Sequence, residues 1–236
     1  SADAQKFTPK NGQSFSEKFS ASYMKTMHEW QHNFTLNYLI ERFKVENDSS
    51  QVSRILYPGY ALSRIKVDDL INPHEGTLFN FNLQGANKHI VSAASFIQAE
   101  IKGKYIFSPT DASRVIIRGD LGYTIVKDLT RLPLTLRYFA GGMNSIRGYN
   151  ISSIGPGRYL EIASAEYQHR IYGDFSGAVF YDAGTASDHF NNPFYRGEGV
   201  GLIYNSIIGP VQLYIGRAMS YRGKPLNVQF SIGSGF

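Results

Sequence analysis

Residues 28–32 read His-Glu-Trp-Gln-His, two histidines framing a glutamate with the spacing of a zinc-protease motif. On a helix that spacing sets both imidazoles on one face, with the carboxylate beside a metal-bound water. On a strand the histidines also share a face but stand roughly 13 Å apart at ~3.3 Å per residue, too far to share one ion. The local backbone therefore decides the chemistry. A stripe of Phe15, Phe19, Tyr23, Met27, Trp30, Phe34 and Tyr38 recurs every three or four positions, as on a helix. Against it, Phe34, Leu36, Tyr38 and Ile40 alternate with Asn33, Thr35 and Asn37. Asn and Thr are weak helix formers, and no cap or glycine stop frames the segment. No third ligand motif follows. The expectation is a turn at 27–31 between two strands, with no catalytic residue, no metal and no cofactor. Trp30, the only tryptophan, then sits at an interface.

The elements that position these residues are strands. Charged residues make up 18% of the 236, below the ~25% usual for soluble proteins. Tyr and Phe number 16 each and Gly 23. Cys is absent, which excludes disulfides and thiolate metal sites. No apolar run approaches the ~20 residues of a membrane-spanning helix. The start, SADAQKF, lacks a signal-peptide pattern and reads as a mature N-terminus. The net charge of +5 is scattered, whereas nucleic-acid binding needs a clustered basic face, so no nucleic-acid partner is expected.

Period-two alternation runs through the chain. Leu226, Val228, Phe230, Ile232 and Phe236 share one face, opposite Asn227, Gln229, Ser231, Gly233 and Gly235. Val179 and Tyr181 alternate with Ala178, Phe180 and Asp182; Ala163, Ala165 and Tyr167 alternate with Ser164, Glu166 and Gln168. A soluble sandwich or barrel also alternates, but its strands are shorter, ~5–6 residues. Several segments here run ten residues or more, enough to cross a bilayer at a tilt. Aromatics such as Tyr105, Phe107 and Tyr123 gather near strand ends, like an interfacial girdle.

Short turns at 173–174 and 209–210 alternate with longer loops at 127–160, 185–195 and 220–226. In outer-membrane barrels short turns face the periplasm and long loops the exterior. Eleven segments lie between 14 and 236. Asn11-Gly12, a strong hairpin signal, adds a short first strand near 2–9. The expected fold is all-β: one domain over 1–236, a transmembrane antiparallel barrel of twelve strands. Loop 127–160 carries Tyr138, Phe139, Ile146, Tyr149, Ile151 and Ile154, an apolar content suited to folding into the lumen.

Within it, RYFAGGMNSIRGY (137–149) resembles the sixth-loop signature of the BamA/TamA-type outer-membrane assembly-factor superfamily, most of all its TamA branch. ILYPGYALSR (55–64), GAVFYDAG (177–184) and a last strand ending in Phe236 match further motifs. The resemblance implies that Arg147, with Gly148 and Tyr149, reaches the barrel wall and pairs with Asp182, packed by Phe180 and completed by Glu166. Gly148 would let the loop pass close to the wall. Phe230, Ile232 and Phe236 would form a C-terminal insertion signal. The location implied is the bacterial outer membrane, with the lipid bilayer, client outer-membrane proteins and a periplasmic partner as partners. The implied function is insertion or translocation of proteins at that membrane; a small pore or plugged structural barrel is the alternative. Family barrels carry POTRA domains and sixteen strands. The twelve segments read as a domain-less barrel closing on its own, or as a fragment.

Overall fold

A computed structural model describes residues 1–236 except 10, 11, 46–49, 90, 91, 191, 208 and 234–236. The chain runs through β1 (Ala2–Phe7), β2 (Gly12–Met27), β3 (Trp30–Val45), β4 (Gln51–Val67), β5 (Gly76–Ala86), β6 (Phe96–Thr110) and β7 (Ser113–Val126). A long loop holds two short 3-10 turns, Leu129–Arg131 and Leu134–Leu136, and a small hairpin of β8 (Tyr138–Ala140) and β9 (Ile154–Gly157). Then follow β10 (Tyr159–Tyr172), β11 (Phe175–Ser187), β12 (Tyr195–Ser206), β13 (Gly209–Ala218) and β14 (Leu226–Ile232). Apart from β8 and β9, the strands form one 12-stranded antiparallel sheet in sequence order. The expected all-β, twelve-strand barrel is therefore the architecture.

Alternation explains the two faces. On β14, Leu226, Val228, Phe230 and Ile232 are all at least 60% exposed and point outward. On β11, Val179 and Tyr181 face out while Ala178, Phe180 and Asp182 are buried. The outward face carries the apolar band that lipid requires. The inner face carries buried polar groups such as Asn37, Glu41, Gln98, Thr124 and Gln168. The sheet curls around the loop. Phe139 meets Phe7 of β1 with ring centroids 5.3 Å apart, Tyr138 Oη donates to the Ala99 carbonyl of β6 at 3.0 Å, and Gln229 Nε2 of β14 donates to the Tyr149 carbonyl at 2.9 Å. No flat sheet could touch one loop from both of its edge strands. Among the described residues no ladder joins β1 to β14.

Three turns refine the sequence expectation. The turn expected at 27–31 is only His28 and Glu29, at φ 47° and 68°, with Met27 paired to Trp30. A two-residue hairpin whose twist suits its strands needs positive φ at both positions, and here two non-glycine residues take it. The turn expected at 209–210 is displaced: Ser206 pairs with Gly209, and Pro210 lies inside β13 opposite Asn205. Gly209, at φ 125°, supplies the backbone freedom that lets β13 begin there. Lys10 and Asn11 of the first hairpin lie outside the described residues. Its strands pair in register from Ala2 with Phe19 to Phe7 with Ser14.

Candidate functional site

The site is built from the loop inward. Asp128 starts it, accepting from Thr130 N at 3.0 Å and Thr130 Oγ1 at 2.6 Å, bonds that hold its carboxyl below the usual range. Leu132, Leu134 and Leu136 then turn into the lumen, all buried. Leu132 and Leu136 pack with Leu39, Ile55, Tyr57 and Phe96. Past β8, Gly142 N donates to the Ile146 carbonyl at 3.2 Å and closes a tight turn. That turn delivers Arg147 to the wall.

Arg147 is 2% exposed, and Asp182 is fully buried. The guanidinium grips Asp182 as a two-pronged fork, Nε to Oδ2 and Nη2 to Oδ1, both at 2.8 Å. The Arg147 backbone N–H also donates to Oδ2, at 2.9 Å. Nη1 contacts Glu166 Oε2, and Nη2 reaches Ser164 Oγ at 3.2 Å. The guanidinium carbon lies 3.8 Å from the Phe180 ring centre and 4.9 Å from that of Tyr214. Glu166 Oε1 accepts from Tyr214 Oη at 2.6 Å and from Gln168 Nε2. Each buried charge thus has an opposite charge and further hydrogen bonds, the condition under which buried ions are tolerable. A planar fork on a carboxylate fixes orientation as well as distance, which a lysine could not do.

Backbone approach is equally close. Gly148 sits at φ 88°, and a Cβ there would lie 2.8 Å from the Arg217 carbonyl carbon. A Cβ on Gly197 would lie 2.0 Å from the Arg147 carbonyl oxygen. Tyr149, 1% exposed, donates to the Arg196 carbonyl at 2.9 Å and accepts from Ser220 N at 3.0 Å. The structure thus brings Arg147, Gly148, Tyr149, Glu166, Phe180 and Asp182 into one cluster. Phe230 and Ile232 lie apart, on the outward face of β14, and Phe236 lies outside the described residues.

Sequence reasoning missed Ser164, Gln168 and Tyr214 as partners, and the Glu41 carboxylate that receives Thr135 Oγ1 on the opposite wall. One signal was available: Gly197, Gly199 and Gly201 recur at period two on β12. A Cβ on Gly199 would meet the Phe180 ring at 2.8 Å and one on Gly201 the Tyr214 ring at 2.4 Å, so this row makes room for both rings. The His-Glu-x-x-His stretch is spread over a turn and a strand. Glu29 accepts from Arg64 Nη2 at 2.6 Å, and His32 Nδ1 lies 2.9 Å from Tyr60 Oη. Among the described residues no three metal-ligating side chains gather.

Residues 5–236 match the Omp85 superfamily domain. The chain belongs to the Omp85 superfamily. A 61-residue stretch is 39% identical to the chloroplastic outer envelope protein 80 of Oryza sativa subsp. japonica, covering 26% of this chain and 9% of that protein. An 88-residue stretch is 30% identical to the Arabidopsis thaliana protein of the same name, covering 32% and 12%. Among solved structures, BamA from Haemophilus ducreyi lacking POTRA domains 1-3 superposes with a TM-score of 0.76 at 16% identity, over 94% of this chain and 54% of that one. CdiB from Acinetobacter baumannii gives 0.62 at 15%, over 94% and 42%. The chain spans about half the length of these solved neighbours, and the likeness at such identity is one of fold. As an Omp85 barrel it is an outer-membrane protein. Its outward apolar faces meet lipid, and the Arg147 cluster lies inside the barrel.

Proposed function

We propose that this Omp85 barrel acts in the insertion or translocation of proteins at the outer membrane, with client outer-membrane proteins as its substrates and a periplasmic protein delivering them. The carrying observation is the seam. Among the described residues no ladder joins β1 to β14, so the sheet has two edges. Both edges border one 650 Å³ cavity, through Phe7 on one side and Phe230 and Ser231 on the other. An edge strand presents unpaired N–H and C=O groups to which an incoming strand can add. The loop clamp at Arg147 holds β10 to β13, the strands that lead up to the β14 edge, in place while the seam works. Phe230, Ile232 and Phe236 serve as the insertion signal of the chain itself.

The experiment is a cleavable crosslink. Ala4→Cys in β1 and Val228→Cys in β14 are joined by a reducible bis-maleimide, and the barrel is reconstituted in liposomes with an unfolded outer-membrane client. Client folding should stop on crosslinking and resume on reduction. Folding that continues through a sealed seam would remove this reading. A plugged structural barrel is the second reading, favoured by the burial of Arg147, Ile146 and Tyr149 inside the barrel. It predicts no client folding in either state and no steady conductance in planar bilayers.

A further inference from the structure

The periplasmic end of the barrel carries one connection unlike its neighbours. Those at 28–29, 111–112 and 173–174 are two residues each. The β4–β5 connection lies at the same end and runs from 68 to 75. Two carboxylates set its form. Asp68 Oδ1 accepts from the backbone N–H groups of Asp69, His74 and Glu75 at 2.9, 3.0 and 3.1 Å. Asp69 Oδ1 accepts from those of Ile71 and Asn72 at 2.7 and 2.9 Å. Aspartates that satisfy nearby backbone donors in this way fix a loop in one conformation.

The loop is tied to the inside of the wall. Arg114 of β7 stands opposite Gln168 of β10, on the lumen face. Its Nε donates to Gln168 Oε1 at 3.0 Å, while Nη1 donates to Asn72 Oδ1 at 2.9 Å and to the Pro73 carbonyl at 2.7 Å. One planar guanidinium thus joins wall and loop. Ser108 Oγ of β6 donates to the His74 carbonyl at 2.8 Å, and Pro73 is buried. A loop that leaves between β4 and β5 is therefore held at β6, at β7 and, through Arg114, at β10. Little stays open beyond it. Asn72 and His74 face Ala112, Gly173, Asp174 and Asn205 across a cavity of 90 Å³. At ~30 Å³ per water that is room for a few waters. Gln168 lines both this cavity and the 260 Å³ one that reaches Arg147, so its contact with Arg114 forms the floor between lumen and mouth. We propose that residues 68–75 are a strap that shuts the lumen on its periplasmic side, along β6 to β12, with Arg114 as the latch. Loop 127–160 enters from outside and the strap from inside, so release of the strap opens the lumen toward the periplasm alone. The closure stands whether or not the seam admits clients.

The chain has no cysteine, so one introduced thiol reports alone. Ile116→Cys puts it on the wall of the 260 Å³ cavity, and Gln84→Cys on the 650 Å³ cavity, which no strap residue lines. Each full chain, folded in detergent, is labelled with an uncharged polyethylene-glycol maleimide. With the strap intact, the thiol at 116 should react on the order of tenfold more slowly than the one at 84, because access waits on local opening. Two changes release the strap. Arg114→Ala removes the latch. Replacing residues 69–74 by Asn-Gly leaves Arg114 and the wall untouched: Asp68 N already donates to the Glu75 carbonyl at 3.2 Å, and a two-residue hairpin can close there. Both should abolish the difference by speeding the thiol at 116 while the one at 84 keeps its rate. Asn72→Ala, which spares the Pro73 contact, should abolish part of it. If Arg114→Ala does not fold, the replacement decides. The proposal is overturned if the thiol at 116 already reacts as fast as the one at 84, if the replacement leaves its rate unchanged, or if both thiols speed up together.

Discussion

Two walls of the barrel hold the same loop by different means. On the β10–β13 side the grip is directional: a fork on Asp182, a contact to Glu166, two aromatic rings and backbone packed against glycine. On the β3–β6 side it is mostly apolar, through Leu132 and Leu136 on Leu39, Ile55 and Phe96, with the Glu41 carboxylate receiving Thr135 of the loop. Apolar packing is non-directional and proportional to area, so it holds the loop in without fixing where it sits. The ionic side fixes position. Loss of one wall should therefore release the loop, and loss of the other should weaken the barrel without freeing it.

Arg147→Ala tests the first statement and should have the largest effect. It leaves Asp182 and Glu166 without their cation, and breaking a buried pair costs ~3–5 kcal/mol, less where water enters the lumen. Denaturant unfolding should show that loss, and limited proteolysis should now cut within 137–158. Asp182→Ala should do nearly the same, with the double variant little worse than either, because both remove one contact. Additive losses would show that the two residues act separately.

Leu132→Ala tests the other wall. Its side chain is fully buried, and truncation should cost ~2–5 kcal/mol through lost contacts and a cavity. The loop should stay protease-resistant, since Arg147 is untouched. Cleavage at wild-type temperature would erase the distinction between the walls. Gly197→Ala comes next: its Cβ would strike the Arg147 carbonyl and push the clamp off its seat, at ~1–3 kcal/mol for an overpacked contact. Thr135→Val removes the hydroxyl on Glu41 but keeps the backbone donor, so unfolding should report only ~1 kcal/mol.

The smallest effect belongs to the exposed turn. Arg64, chiefly through its hydrogen bond, holds the Glu29 carboxyl below its usual range. A lowered pKa favours the ionised folded form above the ordinary carboxylate value, and that contribution fades as pH falls through the lowered one. Glu29 is fully solvated, so Glu29→Gln should leave the unfolding midpoint at pH 7 unchanged. A measurable drop would mean that the turn matters to the barrel more than its exposure implies.

The fold was legible because a strand writes its two faces into alternate residues. Leu226 to Ile232 and Glu166 to Asp182 could be sorted into lipid and lumen before any coordinate. The short first strand was legible because Asn-Gly is a turn signal with a mechanism. The turn within 27–31 was legible too, but its tight two-residue form at His28 and Glu29 was not, because neither residue announces positive φ. Within the site, alternation put Glu166, Phe180 and Asp182 on one face and the loop motif drew attention to Arg147. Tyr214 and Ser164 were out of reach: which inward side chains meet depends on how the sheet curls, and periodicity within one strand does not encode that. Glu41 and Thr135, ninety-four positions apart in the chain, show the same limit.

Strand length carries one more consequence. β2, β3 and β4 have 16, 16 and 17 residues, whereas β12 and β13 have 12 and 10. At ~3.3 Å per residue and a tilt of ~45°, sixteen residues rise about 37 Å and ten about 23 Å. The hydrocarbon layer is ~30 Å thick, so one side overshoots it and the other falls short. Such a cylinder cannot sit upright in a flat bilayer. Either its axis leans or the lipid around β12 and β13 is drawn thin, and β14 lies next to that low side.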